Sequence, residues 1–163
     1  MDCTKQFSGD PPLPVAWLTP ATSHREIFLM PTKLLFVDHD EPVRRLVGRV
    51  LASAGFSVAL AGSGSETLAR FRTWQPEVVV LELAMPDLEG TEVCHQLGRL
   101  NPRVPVVLIT ASPRESAQAR QQGASAVLEK PLDLGLLLET IRGLLTTSQA
   151  ESGRIEEGKP IPA

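Results

Sequence analysis

Val78-Val79-Val80-Leu81-Glu82-Leu83-Ala84-Met85-Pro86-Asp87-Leu88-Glu89-Gly90 decides how the rest of this chain is read. Four apolar residues, three of them β-branched, run straight into a carboxylate, and Met85-Pro86 and Gly90 then turn the chain. An unbroken apolar run of this kind reads as a central strand buried on both faces, as in a parallel sheet under helices. Open sheets of that type do their chemistry at the carboxyl ends of the strands. Glu82 therefore stands where a functional acid belongs.

Strand and helix alternate on both sides of this stretch. Leu34-Leu35-Phe36-Val37 is a short apolar strand ending at Asp38-His39-Asp40-Glu41. Pro42 suits a first helical turn, and Val43, Leu46, Val47, Val50, Leu51 and Ala54 follow at helical spacing up to the stop at Gly55. Phe56–Ala61 is a second strand. Ser63 with Glu66 has the pattern of a capping box opening a helix that carries Leu68 and Phe71, and Pro76 closes that unit. Beyond Gly90, the residues Val93, Leu97 and Leu100 mark a third helix, and Val106–Ile109 is a strand ending at Thr110-Ala111. A fourth helix over Pro113–Gln122 has only alanines as apolar residues and must pack weakly. Ala126-Val127-Leu128 is a short strand running into Glu129-Lys130-Pro131, and a last helix carries Leu134, Leu137, Leu138, Ile141, Leu144 and Leu145.

Five strands alternating with five helices require right-handed crossovers and a parallel sheet covered on both sides. Such a sheet gathers the strand ends at Asp38, Glu82, Thr110 and Lys130 on one edge. Two acids, a hydroxyl and an ammonium would then converge.

The flanks differ from this pattern. Residues 1–32 contain Pro11, Pro12, Pro14, Pro20 and Pro31, which interrupt every possible element. They read either as a disordered extension or as the product of a misassigned start ahead of Met30. Residues 33–146 hold the domain, and 147–163 read as a polar tail.

Composition excludes several function classes. The 163 residues are 42% hydrophobic, enough for a real core, and carry a net charge of −3. With a pI near 5.6 there is no basic field, which argues against direct nucleic-acid binding. No apolar run approaches the ~20 residues of a membrane span, and the N-terminus lacks the apolar core of a secretion signal. Cys3 and Cys94 match no metal or redox spacing. A reduced, cytoplasmic setting is the simplest reading.

Taken together, Phe36-Val37-Asp38, Met85-Pro86-Asp87-Leu88-Glu89-Gly90, Ile109-Thr110-Ala111, Gly123-Ala124-Ser125-Ala126 and Lys130-Pro131 resemble the receiver domain of two-component response regulators. Each motif is weak alone, but in this order, each at the end or edge of its element, they are specific. The resemblance covers Lys33 to about Leu145. It implies a flavodoxin-like (βα)5 doubly wound parallel sheet with strand order 2-1-3-4-5. It also implies phosphotransfer from a histidine kinase to an aspartate ending the third strand. Mg²⁺ would be held with the help of an acidic pair ending the first strand. A Ser or Thr and a Lys contact the phosphoryl oxygens, and the Lys-Pro bond is a candidate cis peptide, here at Pro131.

Set on this chain, Thr110, Lys130 and Asp38 match those roles. The phosphoacceptor position carries Glu82, the second acid position carries His39, and the switch-aromatic position carries Val127. Glu reaches about one C–C bond further than Asp, and catalytic groups tolerate only ~0.5 Å of misplacement. Imidazole is a poor ligand for Mg²⁺, which prefers oxygen. The expectation is a non-enzymatic, stand-alone, atypical receiver with weak or absent Mg²⁺ binding and no other cofactor. It would act by protein–protein contact through the fourth helix, fifth strand and fifth helix, with no output domain after Leu145.

Glu82 then either mimics the phosphorylated state, pairing with Lys130 and accepting from Thr110, or marks a vestigial site. Two alternatives stay open. In one, the chain is still phosphorylatable, or a phosphate sink, taking the group from a histidine kinase with Mg²⁺. In the other, it senses a metal through His39 with Asp38 and Glu82. Cys94 and His95 read as ordinary packing and surface residues.

Overall fold

The structure, a computed structural model, describes residues 30–153. Contacts divide the chain at Met30–Pro31, and the fold described below belongs to the second unit. The reading of residues 1–32 as an extension falls, up to residue 29, outside the described residues, as does the part of the tail beyond 153.

The elements are β1 (Lys33–Val37), α1 (Glu41–Ser53), β2 (Ser57–Ala61), α2 (Gly64–Trp74), β3 (Val78–Glu82), α3 (Gly90–Leu100), β4 (Val106–Thr110), α4 (Pro113–Gln121), β5 (Ala126–Glu129) and α5 (Leu134–Gly153). All strand pairs are parallel, in the order β2-β1-β3-β4-β5. This is the flavodoxin-like arrangement and strand order that the resemblance implied. β1, β3 and β4 are the interior strands, and every residue of β3 and β4 is buried. Side chains alternate along a strand, which splits the core into two layers. Leu35, Val37, Val79, Leu81 and Leu108 pack with Leu68, Phe71, Val93 and Leu97 under α2 and α3. Leu34, Phe36, Val78, Val80, Val107 and Ile109 pack with Val47, Leu51, Leu137 and Ile141 under α1 and α5.

Local chemistry sets most boundaries. Asp40 caps α1 by accepting from the Val43 N–H at 3.2 Å, with Pro42 in the first turn. Gly55 follows α1 with φ +99°, a left-handed conformation that glycine adopts without strain.

Three details depart from the sequence reading. On α1, Leu46 is largely exposed and Val43 partly so, because the stripe that meets the sheet is narrow and centred on Val47, Gly48 and Leu51. At α2, Ser63 accepts from the Glu66 N–H, but Glu66 Oε2 reaches back to the Gly62 N–H (2.8 Å) instead of that of Ser63. α5 does not stop at Thr146 but continues to Gly153, so the first part of the expected tail is helix. Residues 147–150 (Thr-Ser-Gln-Ala) contain neither Pro nor Gly, and helix propagation is cheap once nucleated. α4 meets the expectation of weak packing, since Ala119 is its sole buried residue.

Candidate functional site

Register builds the site. Val37 pairs with Leu81, which brings the next residues, Asp38 and Glu82, level with each other on the α1/α5 face of the sheet. Both are buried, Asp38 at 1% and Glu82 at 3% exposure. Lys130 enters from the end of β5, where its N–H donates to the Thr110 carbonyl at 2.8 Å. The Lys130-Pro131 peptide is cis.

Both oxygens of Glu82 are engaged. The Lys130 ammonium lies in a short contact with Oε1. Oε2 accepts from the His39 N–H at 3.1 Å and from His39 Nδ1 at 2.6 Å. An ionised carboxylate can only accept, so Nδ1 carries the proton in this arrangement. Asp38 sits 3.8 Å from the same ammonium and accepts the Asp40 N–H at 2.8 Å. Arg44 braces the loop by donating to the Asp38 carbonyl at 2.7 Å.

The two acids are pushed in opposite directions. Burial raises the Asp38 carboxyl, as does the Glu82 charge, and these outweigh the Asp40 N–H and Lys130. Burial also acts to raise Glu82, but the hydrogen bonds from Lys130 and from the ring and N–H of His39 overcome it, and its carboxyl is lowered. Glu82 is thus held as an anion.

Thr110 lies apart from this cluster. Glu82 is level with Ile109, so Thr110 is one step further along and on the opposite face of the sheet. Its hydroxyl donates to Glu115 Oε2 (2.8 Å) and contacts the Ser112 carbonyl (3.3 Å), while the Ser112 N–H donates back to it at 3.0 Å. The expected Thr110–Glu82 bond is not formed. Val127 is half-buried against the α2/α3 core layer and offers no polar tip. His95 is exposed, and Cys94 is buried, which pushes its thiol up to about 11.

Two further residues shape the site. Asp87 accepts from the Gly64 N–H, the Ser65 N–H and the Ser65 hydroxyl at 2.8–2.9 Å, tying the β3–α3 loop to the start of α2. Those bonds hold its carboxyl well below the usual range. Glu115 had a signal in the sequence, since Ser112-Pro113-Arg114-Glu115 has capping-box spacing. Its carboxylate goes to Thr110, and no side-chain cap forms at Ser112.

The family model for the response regulator receiver domain matches residues 34–142. The chain belongs to that family. As a receiver domain of two-component signalling, it is 38% identical over 126 residues to the response regulator MprA of Mycolicibacterium vanbaalenii, covering 76% of this chain and 54% of that protein. It is 37% identical over 124 residues to MprA of Mycobacterium tuberculosis, covering 75% and 54%. The chain thus spans about half the length of these relatives. Among solved structures, a CheY-like receiver domain protein from Methanospirillum hungatei superposes with a TM-score of 0.71 at 27% identity, over 74% of this chain and 98% of that one. The Vibrio cholerae chemotaxis protein CheY4 gives 0.66 at 27% identity, over 70% and 98%.

The family implies Mg²⁺ at this cluster, and the residues of this receiver do not fit it. One of the three side chains is an imidazole, and Mg²⁺ demands near-octahedral oxygen coordination. The Lys130 ammonium already rests against Glu82. A cavity of about 690 Å³, lined by Phe71, Arg72, Pro76, Leu100 and Leu145 among others, lies at the opposite edge of the sheet. It contains none of these groups, and the chemistry places the site at the strand ends.

Proposed function

We propose that this receiver domain signals by protein–protein contact without accepting a phosphoryl group, its site held in one state by the Glu82–Lys130 pair. The observation that carries this reading is the full engagement of Glu82: Lys130 on one oxygen, His39 on the other. A phosphoryl acceptor needs a free carboxylate oxygen in line with the incoming phosphorus and a metal to neutralise charge. Glu82 offers neither a free oxygen nor a partner set suited to Mg²⁺.

The mimicry is partial. Glu82 engages the lysine that the family uses for a phosphoryl oxygen, but it leaves Thr110 with Glu115. The outward face is α4, β5 and α5: α4 buries only Ala119, β5 is partly exposed along its length, and Leu136 of α5 is half-exposed. Docking elements are drawn from such weakly packed segments. The partner is another protein, a histidine kinase among the candidates by family. None of the described helices is long and apolar enough to cross a membrane, and the setting is proposed to be cytoplasmic.

Incubation with acetyl phosphate and Mg²⁺ tests this directly. Intact-mass analysis is expected to show no phosphoryl adduct, and beryllofluoride with Mg²⁺ is expected to leave the α4 amide resonances in place. An adduct on Glu82, or shifted α4 resonances, overturns the reading in favour of a phosphorylatable receiver. Glu82→Gln is expected to weaken binding of a captured partner.

A further inference from the structure

The misfit with Mg²⁺ points to a different ion. One ligand atom each from Asp38, His39 and Glu82 lie within 4.8 Å of one another, close enough to share a single cation. Two of these groups are buried carboxylates at the floor, and the third is a half-exposed imidazole at the rim. Their chemistry is selective. An imidazole with two carboxylates suits borderline first-row ions such as Zn²⁺, Co²⁺ and Ni²⁺, whereas an all-oxygen set suits Mg²⁺. We propose that Asp38, His39 and Glu82 form an open three-ligand site for a divalent transition metal, so that replacing one acid by His39 has changed the metal class of this receiver.

The surroundings support the assignment. The His39 backbone N–H donates to Glu82 Oε2 and its ring Nδ1 lies 2.6 Å from the same oxygen, so the ring nitrogen and the carboxylate already face each other. The Asp38 and Glu82 carboxylates stand against the single Lys130 ammonium, so the cluster carries more anionic than cationic side chains and favours a divalent cation. Three protein ligands leave a position open to water on the exposed side, as in catalytic and sensing sites. Metal at Nδ1 releases the proton now shared with Glu82.

Lys130 is the internal competitor. Its ammonium sits against Glu82 and 3.8 Å from Asp38, where it acts as a resident cation. A metal entering the site must share Glu82 with Lys130 or displace it. Metal loading would then act on the same ion pair that the proposed function takes as the signalling state.

Calorimetric titration of the full chain with Mg²⁺, Mn²⁺, Co²⁺ and Zn²⁺, each alone, tests the site. The expected result is one equivalent bound, affinity rising from Mn²⁺ through Co²⁺ to Zn²⁺, and no detectable Mg²⁺ binding. The Co²⁺ spectrum is expected to show nitrogen and oxygen ligation without thiolate charge transfer. His39→Ala, a loop change that leaves the core intact, is expected to abolish binding, and His39→Asp to trade Zn²⁺ for Mg²⁺. Lys130→Met is expected to tighten Zn²⁺ binding about tenfold by removing a like charge. Zn²⁺ binding that survives His39→Ala, or no binding in the parent chain, overturns the proposal. It shares residues with the proposed function but fails separately: a null titration leaves the acetyl phosphate result as it stands, and an Mg²⁺-dependent adduct sinks the other reading whatever Zn²⁺ does.

Discussion

Replacing Lys130 with methionine tests how the receiver tolerates two acids at one strand edge. The substitution keeps the aliphatic stem and removes the ammonium that faces Glu82 and Asp38. Both carboxylates are almost fully buried. Removing one partner of a buried ion pair costs about 3–5 kcal/mol, because it leaves an uncompensated charge out of water. The Lys130 side chain is 33% exposed, so solvent already screens part of the pair and the cost falls to about 2–3 kcal/mol. With a urea m-value typical of a small domain, that loss lowers the unfolding midpoint by roughly 1–2 M. Adding Glu82→Gln to Lys130→Met removes the orphaned charge and is expected to restore more than half of the loss. Urea unfolding of the parent, both single variants and the double variant gives the coupling directly. The reasoning is refuted if Lys130→Met costs less than about 0.5 kcal/mol, or if the double variant is no more stable than Lys130→Met alone.

Other outcomes follow from the same geometry. In Gly90→Ala the new Cβ would lie 2.6 Å from the Glu82 carbonyl oxygen and 2.7 Å from the Leu83 Cα, both backbone atoms that cannot step aside. Urea unfolding is expected to show a loss of about 1–3 kcal/mol, with the Glu82 region perturbed. Thr110→Val removes the donor to Glu115 and the acceptor of the Ser112 N–H, so a loss of about 1–2 kcal/mol is expected. Amide exchange across Pro113–Gln121 should quicken, and unchanged exchange would show that Thr110 does not hold α4. Asp87 has a depressed carboxyl, so its stabilising contribution is present above its unfolded pKa of about 3.9 and is lost as pH falls below it. The stability gap between the parent and Asp87→Ala should therefore shrink as pH drops from 6 toward 3, and a gap that stays constant argues that the tether is not electrostatic.

Much of this receiver was legible before folding because the signals are local. The valine run of β3, the proline and glycine punctuation, and the helical stripes at Val47–Leu51 and Leu137–Ile141 depend on residues a few positions apart. The identities of the candidate site residues Glu82, His39 and Val127 likewise need no coordinates. Boundaries were less legible where propensity is neutral, as at the end of α5, and where a helix has more apolar residues than the sheet can cover, as at Leu46.

Sequence alone therefore determined the element order, the parallel sheet and the family, and it put Asp38, His39 and Glu82 at strand ends as candidate site residues. Only the tertiary structure decided how those groups are used. Glu82 finds His39 from 43 residues away and Lys130 from 48, and those distances are closed by strand register, which no local pattern encodes. The same register turns Thr110 to the other face of the sheet, where Glu115 takes its hydroxyl. A one-residue step along a strand reverses the side on which a side chain points. That step separates a site that engages its lysine alone from one that would engage lysine and threonine together.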